Sequence, residues 1–431
     1  MLKTTKRTIF ISIFLFCGLN AIGQEDNSIN TYSPYTLYGI GDISKPGSAT
    51  TAAMGNVTLG IRDPFSIDYT NPASLSIRDT LSFLFDFGVM QKNTYAKTST
   101  SKTSANNLNF DFFAFSFRIA KGLGFAAGVK TYSSVGYDIE RRETDPYLIY
   151  NVGNILYQHK GEGSINMLFA GAGWRLSKNF SVGANFLYYF GSIERYHNIL
   201  FTTNPYYSSI YSNNKLRVSK VSFSAGTQYH KQLTNNNNLV IGAAFRPKTT
   251  LSPKNEAYTS AISYTENVIS ENTDYINSVF VPMELGIGVS YNKLNKFTVG
   301  LDYLYEDWKD FNITGKSNSF IFDTDVNQTI RLGIDYIPNA YEIRKPMKRW
   351  NYRAGVYFSN TYMICNGERI KDYGITFGVG IPITRMGTRL NGAVEIGQRG
   401  TTSNGLIKET YVGFKISASI HELWFVKYKY R

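Results

Sequence analysis

Four histidines, His159, His197, His230 and His421, stand far apart in the chain, and no spacing between them matches a metal site. No serine lies in a nucleophile motif, so hydrolysis would need a Ser–His pair assembled across distant segments. The chain therefore reads as a non-enzyme with no cofactor or metal. The groups with chemistry to offer are cations set in apolar runs. Arg118, Lys130, Arg175, Arg246, Arg331 and Arg353 each fall on the polar parity of an alternating segment. Arg118, Lys130 and Arg353 are candidates for holding a carboxylate headgroup through charge-assisted hydrogen bonds. The commoner use is pairing with acids of the same parity, namely Asp86, Glu284, Asp302, Asp335 and Glu395.

The elements that place these cations have a period of two. In Leu81-Ser82-Phe83-Leu84-Phe85-Asp86-Phe87-Gly88-Val89 the odd positions are apolar. The same alternation recurs in Met283/Leu285/Ile287/Val289 against Glu284/Gly286/Gly288/Ser290, and in Val412/Phe414/Ile416 against Gly413/Lys415/Ser417. Strands with one face in lipid and the other in a lumen read this way. The runs predict strands near 81–90, 108–119, 122–135, 164–176, 179–190, 218–230 and 237–247. The second half follows near 281–293, 295–306, 327–338, 349–360, 370–382, 388–399 and 408–420.

The connections sort by length. Those near 91–107, 136–163, 191–217, 248–280 and 307–326 are long, whereas links such as Ala120-Lys121 and Ser177-Lys178 are tight. Short periplasmic turns alternating with long outer loops imply an even strand count and both barrel ends in the periplasm. Trp174, Trp350 and Trp424 then fall at the periplasmic interface, and Tyr188, Tyr303 and Tyr305 at the outer one, as expected of aromatic girdles. The expectation is an all-β chain, a transmembrane antiparallel barrel of about 14 strands over 81–431.

The chain has 431 residues, with Tyr 32, Phe 29 and a charged fraction of only 18%. No segment has the eighteen uninterrupted apolar residues of a transmembrane helix. Lys3, Lys6 and Arg7, an apolar run from Thr8 to Cys17, and Ala21-Ile22-Gly23 predict a signal peptide over 1–23, and hence export. Its removal would take Cys17, leave Cys365 alone, and lower the net charge from +13 to +10. There is no clustered basic run for nucleic acid. The cations suit anionic outer-membrane lipid and lipopolysaccharide phosphates as partners.

Residues 24–80 do not alternate. They hold Ser33-Pro34, Pro46-Gly47, a small-residue stretch at 48–54 that predicts a short helix, and Asn71-Pro72-Ala73. A 14-stranded lumen is too wide for wall side chains to fill. This segment is therefore expected to be a plug (hatch), with Asn71, Pro72 and Ala73 as a gate whose turn is preset by proline.

Plug and barrel together resemble the FadL-type transporters of long-chain fatty acids and hydrophobic compounds, over nearly the whole mature chain. Tyr32-Ser33-Pro34-Tyr35, Tyr38-Gly39-Ile40-Gly41-Asp42, Gly161-Glu162-Gly163-Ser164-Ile165-Asn166 and Trp424-Phe425 resemble the Bacteroidetes branch of that family. The resemblance implies passive uptake of a hydrophobic small molecule past a shifting plug, with exit sideways through the barrel wall. The branch is also similar to PorV-like barrels, which implies the alternative of a non-transporting subunit of an outer-membrane secretion or assembly complex. Fold alone does not choose between these.

Overall fold

The computed structural model describes residues 31–79, 81–204, 206–262, 266–275, 279–311, 322–384 and 387–423. The expected signal peptide and Trp424-Phe425 lie outside the described residues. A plug strand, Asp42–Ile43 (β1), is followed by Ser82–Lys97 (β2), Lys102–Ala120 (β3), Leu123–Arg142 (β4), Ile155–Arg175 (β5) and Phe180–Phe201 (β6). Next come Ser209–Thr234 (β7), Asn237–Arg246 (β8), Thr249–Thr250 (β9), Lys254–Ile262 (β10), Glu266–Tyr275 (β11) and Phe280–Val281 (β12). Met283–Lys293 (β13), Phe297–Asp307 (β14), Phe322–Thr324 (β15), Asn327–Tyr336 (β16) and Asn351–Cys365 (β17) follow. Glu368–Pro382 (β18), Arg389–Arg399 (β19) and Lys408–Leu423 (β20) are the last of the described strands.

Fourteen of these strands, β2–β8, β13, β14 and β16–β20, form one antiparallel ring, closed where Ser82–Lys97 pairs with Leu423–Lys408. Closure removes the two end-strand edges that an open sheet would expose to the bilayer, where an unpaired backbone group costs several kcal/mol. Outward positions such as Phe186, Phe223, Ile287, Leu332, Phe377 and Ile416 are 45–58% exposed and form the apolar belt. Trp174, 54% exposed, lies at the end of β5 beside a tight turn, as expected for a girdle residue.

All fourteen strands lie where the alternation predicts them, but their outer ends run further. The segments 91–97, 102–107, 136–142, 155–163, 191–201 and 209–217, expected as loops, are strand. Above the membrane both faces meet water, so polar residues occupy both and the period-two apolar signal vanishes while the ladder continues. The connection at 248–280 likewise contains a hairpin, β10 and β11, with β10 paired to the outer part of β7.

Residues 31–79 lie inside the barrel. Ala49–Ala52 (α1) is the short helix expected in the small-residue stretch, capped by the Ser48 side chain accepting from Thr50 N. Pro72–Ile77 is a 3-10 helix capped by Asn71. Ala53, Val57, Leu59, Ala73 and Leu75 are no more than marginally exposed, so the plug carries its own share of the core.

Candidate functional site

The plug meets the wall backbone to backbone. Gly173, Gly183, Gly226, Gly242, Gly333 and Gly355 face inward around the ring. A Cβ at any of them would overlap plug atoms of Pro72, Asn71, Leu59, Met54 or Gly55. Asn71, fully buried, fixes this contact with three hydrogen bonds. Its Nδ2 donates to Leu59 O at 2.9 Å and to Thr227 O in the wall at 3.1 Å, and its Oδ1 accepts from Ala73 N at 3.2 Å. Asp302 of β14 accepts from Thr58 N and Leu59 N at 2.7 and 3.0 Å. Arg62 of the plug donates to Gln228 Oε1 of β7 at 2.9 Å.

Nearer the outer side the plug is held by charge. Asp42 lies 2.9 Å from Arg399 and 3.1 Å from Lys92, and Lys45 reaches Glu395 and Asp372. Lys45 Nζ also stands 3.7 Å above the Tyr357 ring. These carboxylates and cations neutralise one another, which is the condition for burying them.

The wall is interrupted at one level. β3 pairs with β4 only over Phe112–Ala120 against Lys130–Leu123. Residues 102–111 of β3 continue on β2 alone, and residues 131–142 of β4 continue on β5 alone. The edge that β4 loses there is taken by the plug. Asp42 and Ile43 pair with Ser134 and Ser133, Ser44 N donates to Tyr132 O, and Ser33 N donates to Gly136 O, both at 2.9 Å. Two bulges at this level part the strands, an extra Asp111 in β3 opposite Gly88/Val89 and an extra Tyr132 in β4 opposite Ile165/Asn166. Bulges bend a strand and end pairing, and these do both. Leu108 and Phe110, 69% and 46% exposed, flank the parting, so it begins within the apolar belt.

Behind the parting lies a cavity of about 310 Å³ lined by Met90, Asn109, Phe110, Asp111, Ser134 and Asn166 among others. A second cavity, of about 170 Å³, lies deeper and shares the plug residues Asp42 to Lys45 as a wall.

The three headgroup candidates are not brought together. Arg353, its side chain fully buried, pairs with Asp335 at 2.8 Å and donates to Asn391 at 2.9 Å, a structural role. Arg118 is half-buried beside the β3–β4 turn, where its Nε donates to Ala120 O at 3.0 Å. Neither lines either of these two cavities. Lys130 does line the deeper cavity, donating to Tyr69 OH at 2.8 Å and to Lys45 O at 3.1 Å. Of the acids expected to serve as partners, Glu284 pairs with Arg246 at 2.6 Å and Glu395 with Lys45. His159 and His197, which the sequence separates, meet across β5 and β6 with their Nδ1 atoms 2.8 Å apart. Among the described residues no group of three or more ligands forms a metal site.

The parting was missed in the sequence, although a signal exists. Outward apolar residues of β3 fall on even numbers at Leu108 and Phe110 and on odd numbers at Phe113, Phe115 and Phe117. A change of parity inside one strand marks a bulge.

The BamG family model matches residues 1–431. The chain belongs to the BamG family. Among solved structures, the toluene transporter TbuX of Ralstonia pickettii is similar at 14% identity and TM-score 0.60, covering 87% of this chain and 98% of that one. A FadL homologue of Pseudomonas aeruginosa gives 14% and 0.62 over 89% and 100%. The toluene transporter TodX of Pseudomonas putida gives 15% and 0.59 over 90% and 100%. No curated protein matches. The fold is thus that of a FadL-type barrel, and with its closed ring and apolar belt the BamG-family chain is an outer-membrane protein.

Proposed function

We propose that the protein passes hydrophobic or amphipathic small molecules between its plugged lumen and the outer-membrane bilayer, through the parting of β3 and β4. One observation carries this reading: the parting opens from the apolar belt onto a cavity. Unpaired backbone at membrane depth is tolerated only where it lines a cavity or is covered by protein; here the plug covers the β4 edge and the β3 edge lines the cavity. The moving part of the plug is then residues 31–47, held to β4 by a two-residue ladder and to the wall by ion pairs. Asn71, Pro72 and Ala73 are the fixed end of that gate. The toluene carried by TbuX and TodX indicates the size and greasiness of one suitable solute class.

The test is flux into proteoliposomes of toluene and of dodecanoate. Deleting Asp111 and Tyr132 together restores continuous β3–β4 pairing and should abolish flux of both while the barrel still shows its heat-modifiable gel shift. Undiminished flux in that variant would reject the reading.

A second reading, a non-transporting subunit of an outer-membrane assembly complex, is favoured by the full-length match to BamG. The outer sheet built from β4 to β7 with β10 and β11 offers surface for partners. Purification in mild detergent followed by mass spectrometry separates the two. Stoichiometric co-purifying proteins support the subunit; an isolated barrel carrying extracted amphiphile supports transport.

A further inference from the structure

The deeper cavity is lined by five cations and four carboxylates. The carboxylates are taken: Glu284 and Glu306 by Arg246 at 2.6 and 3.8 Å, Asp42 by Arg399, and Asp372 by Lys45 at 3.5 Å. Lys130 and Arg331 remain, 4% and 7% exposed, with no carboxylate within 4 Å among the described residues. Arg331 donates only to Asn56 O, at 3.4 Å, and Lys130 only to a phenol and a carbonyl. A buried cation without a counterion is costly, and two lining one cavity leave it one positive charge in excess.

The same cavity is rich in unused donors. Among the described residues Tyr132 OH, Tyr362 OH, Trp308 Nε1 and Arg246 Nε are buried without a hydrogen-bond partner, and all four residues line it. Indole and guanidinium nitrogens can only donate. Each such group left unmatched costs about 1–3 kcal/mol, so the lining is complementary to something dense in acceptors.

We propose that this cavity binds the phosphodiester headgroup of an amphiphile. A phosphodiester brings the single negative charge that the lining lacks. Its two non-bridging oxygens face Lys130 and Arg331, and its ester oxygens and the alcohol beyond them meet the Tyr and Trp donors. A carboxylate offers two oxygens, too few for this set of donors. A volume of about 170 Å³ takes a headgroup and not an acyl tail, and the tail runs over Ile43, Met90 and Phe110, the apolar side of the adjoining and otherwise polar cavity, toward the parted wall. This inference rests on the transport reading for the route of entry, but the binding it requires is measured without flux.

The test uses the full-length protein in non-ionic detergent and isothermal titration. The probes are dihexanoyl-phosphatidylglycerol, octanoate and inorganic phosphate. Phosphatidylglycerol should bind at least tenfold tighter than either of the others. Lys130→Met and Arg331→Met should each weaken it at least tenfold, and Trp308→Phe and Tyr362→Phe about threefold. The two aromatic variants each remove one donor and keep an aromatic ring and the charge balance, so they answer the question even where a charge variant fails to fold. Octanoate binding as tightly would make this a carboxylate site, phosphate binding as tightly a free-oxyanion site, and either overturns the proposal. So does no binding, or binding that all four substitutions leave unchanged. Lost flux with intact phosphatidylglycerol binding would sink the transport reading alone.

Discussion

Lys415 Nζ lies 2.9 Å from Asp111 Oδ2, reaching from β20 across β2 to the bulge at which the wall parts. Both side chains are more than nine-tenths buried, so the pair pins the extra residue inward and holds the bulge in one form. Removing one partner of a buried pair costs about 3–5 kcal/mol because the other charge is left alone. Lys415→Met or Asp111→Asn should therefore lower the thermal midpoint of the barrel. Lys415→Met with Asp111→Leu should recover much of it, which a double-mutant cycle on the heat-modifiable gel shift would measure.

The inward glycines predict that the plug can be dislodged without unfolding the barrel. A leucine at Gly183 would fall on Pro72, whereas a side-chain carbon at Gly392 meets nothing within 4 Å. Gly183→Leu should leave the strands assembled and render the plug cleavable by protease. It should also admit large polar antibiotics to intact cells. Gly392→Ala should behave as the native protein in both assays.

Asn71→Ala deletes three buried hydrogen bonds and leaves Ala73 N without its acceptor, while Leu59 O keeps the bond from Gln228 Nε2 at 3.0 Å. With about 1–3 kcal/mol for each unsatisfied buried group, local opening of the plug should become at least tenfold more frequent. Amide exchange at residues 57–61 and 71–77 reads that opening. Unchanged exchange there would remove the triad from any role as an anchor.

Burial pushes the Asp68 carboxyl of the plug up to about 7, against the accepted bond from Thr70 N that favours the charged form. Its Oδ2 is buried with no acceptor or donor opposite it. For an acid raised in the folded state, stability is greatest below its unfolded value near 4 and is lost as pH rises through 7. Protease protection of the plug should accordingly fall between about pH 4 and pH 7 and level off above. Asp68→Asn should flatten that dependence.

The fourteen strands were legible because lipid imposes an apolar residue at every second position, and nothing else in the chain has that period. Where lipid stops, the rule stops, so the outer continuations of β4 to β7 read as loops although their ladders persist. Parity correctly turned Lys130, Arg246 and Arg353 inward but could not say which would find a carboxylate, since Asp335 and Glu284 reach them through cross-strand register. Trp308 and Tyr362 stack with ring centroids 4.2 Å apart beside the deeper cavity. They are 54 residues distant in sequence, and no local pattern joins them.

The claim that solute crosses the wall between β3 and β4 is tested most directly by blocking that parting. Asn109→Cys, in a Cys365→Ser background, places a thiol on the lining of the outer cavity. Ile287→Cys, on the belt and 53% exposed, serves as the comparison. Each is reconstituted, alkylated with a bulky maleimide, and assayed for entry of toluene and dodecanoate. The account predicts at least a fivefold loss of flux on labelling position 109 and none on labelling position 287. Full flux through the labelled Asn109→Cys protein would contradict it.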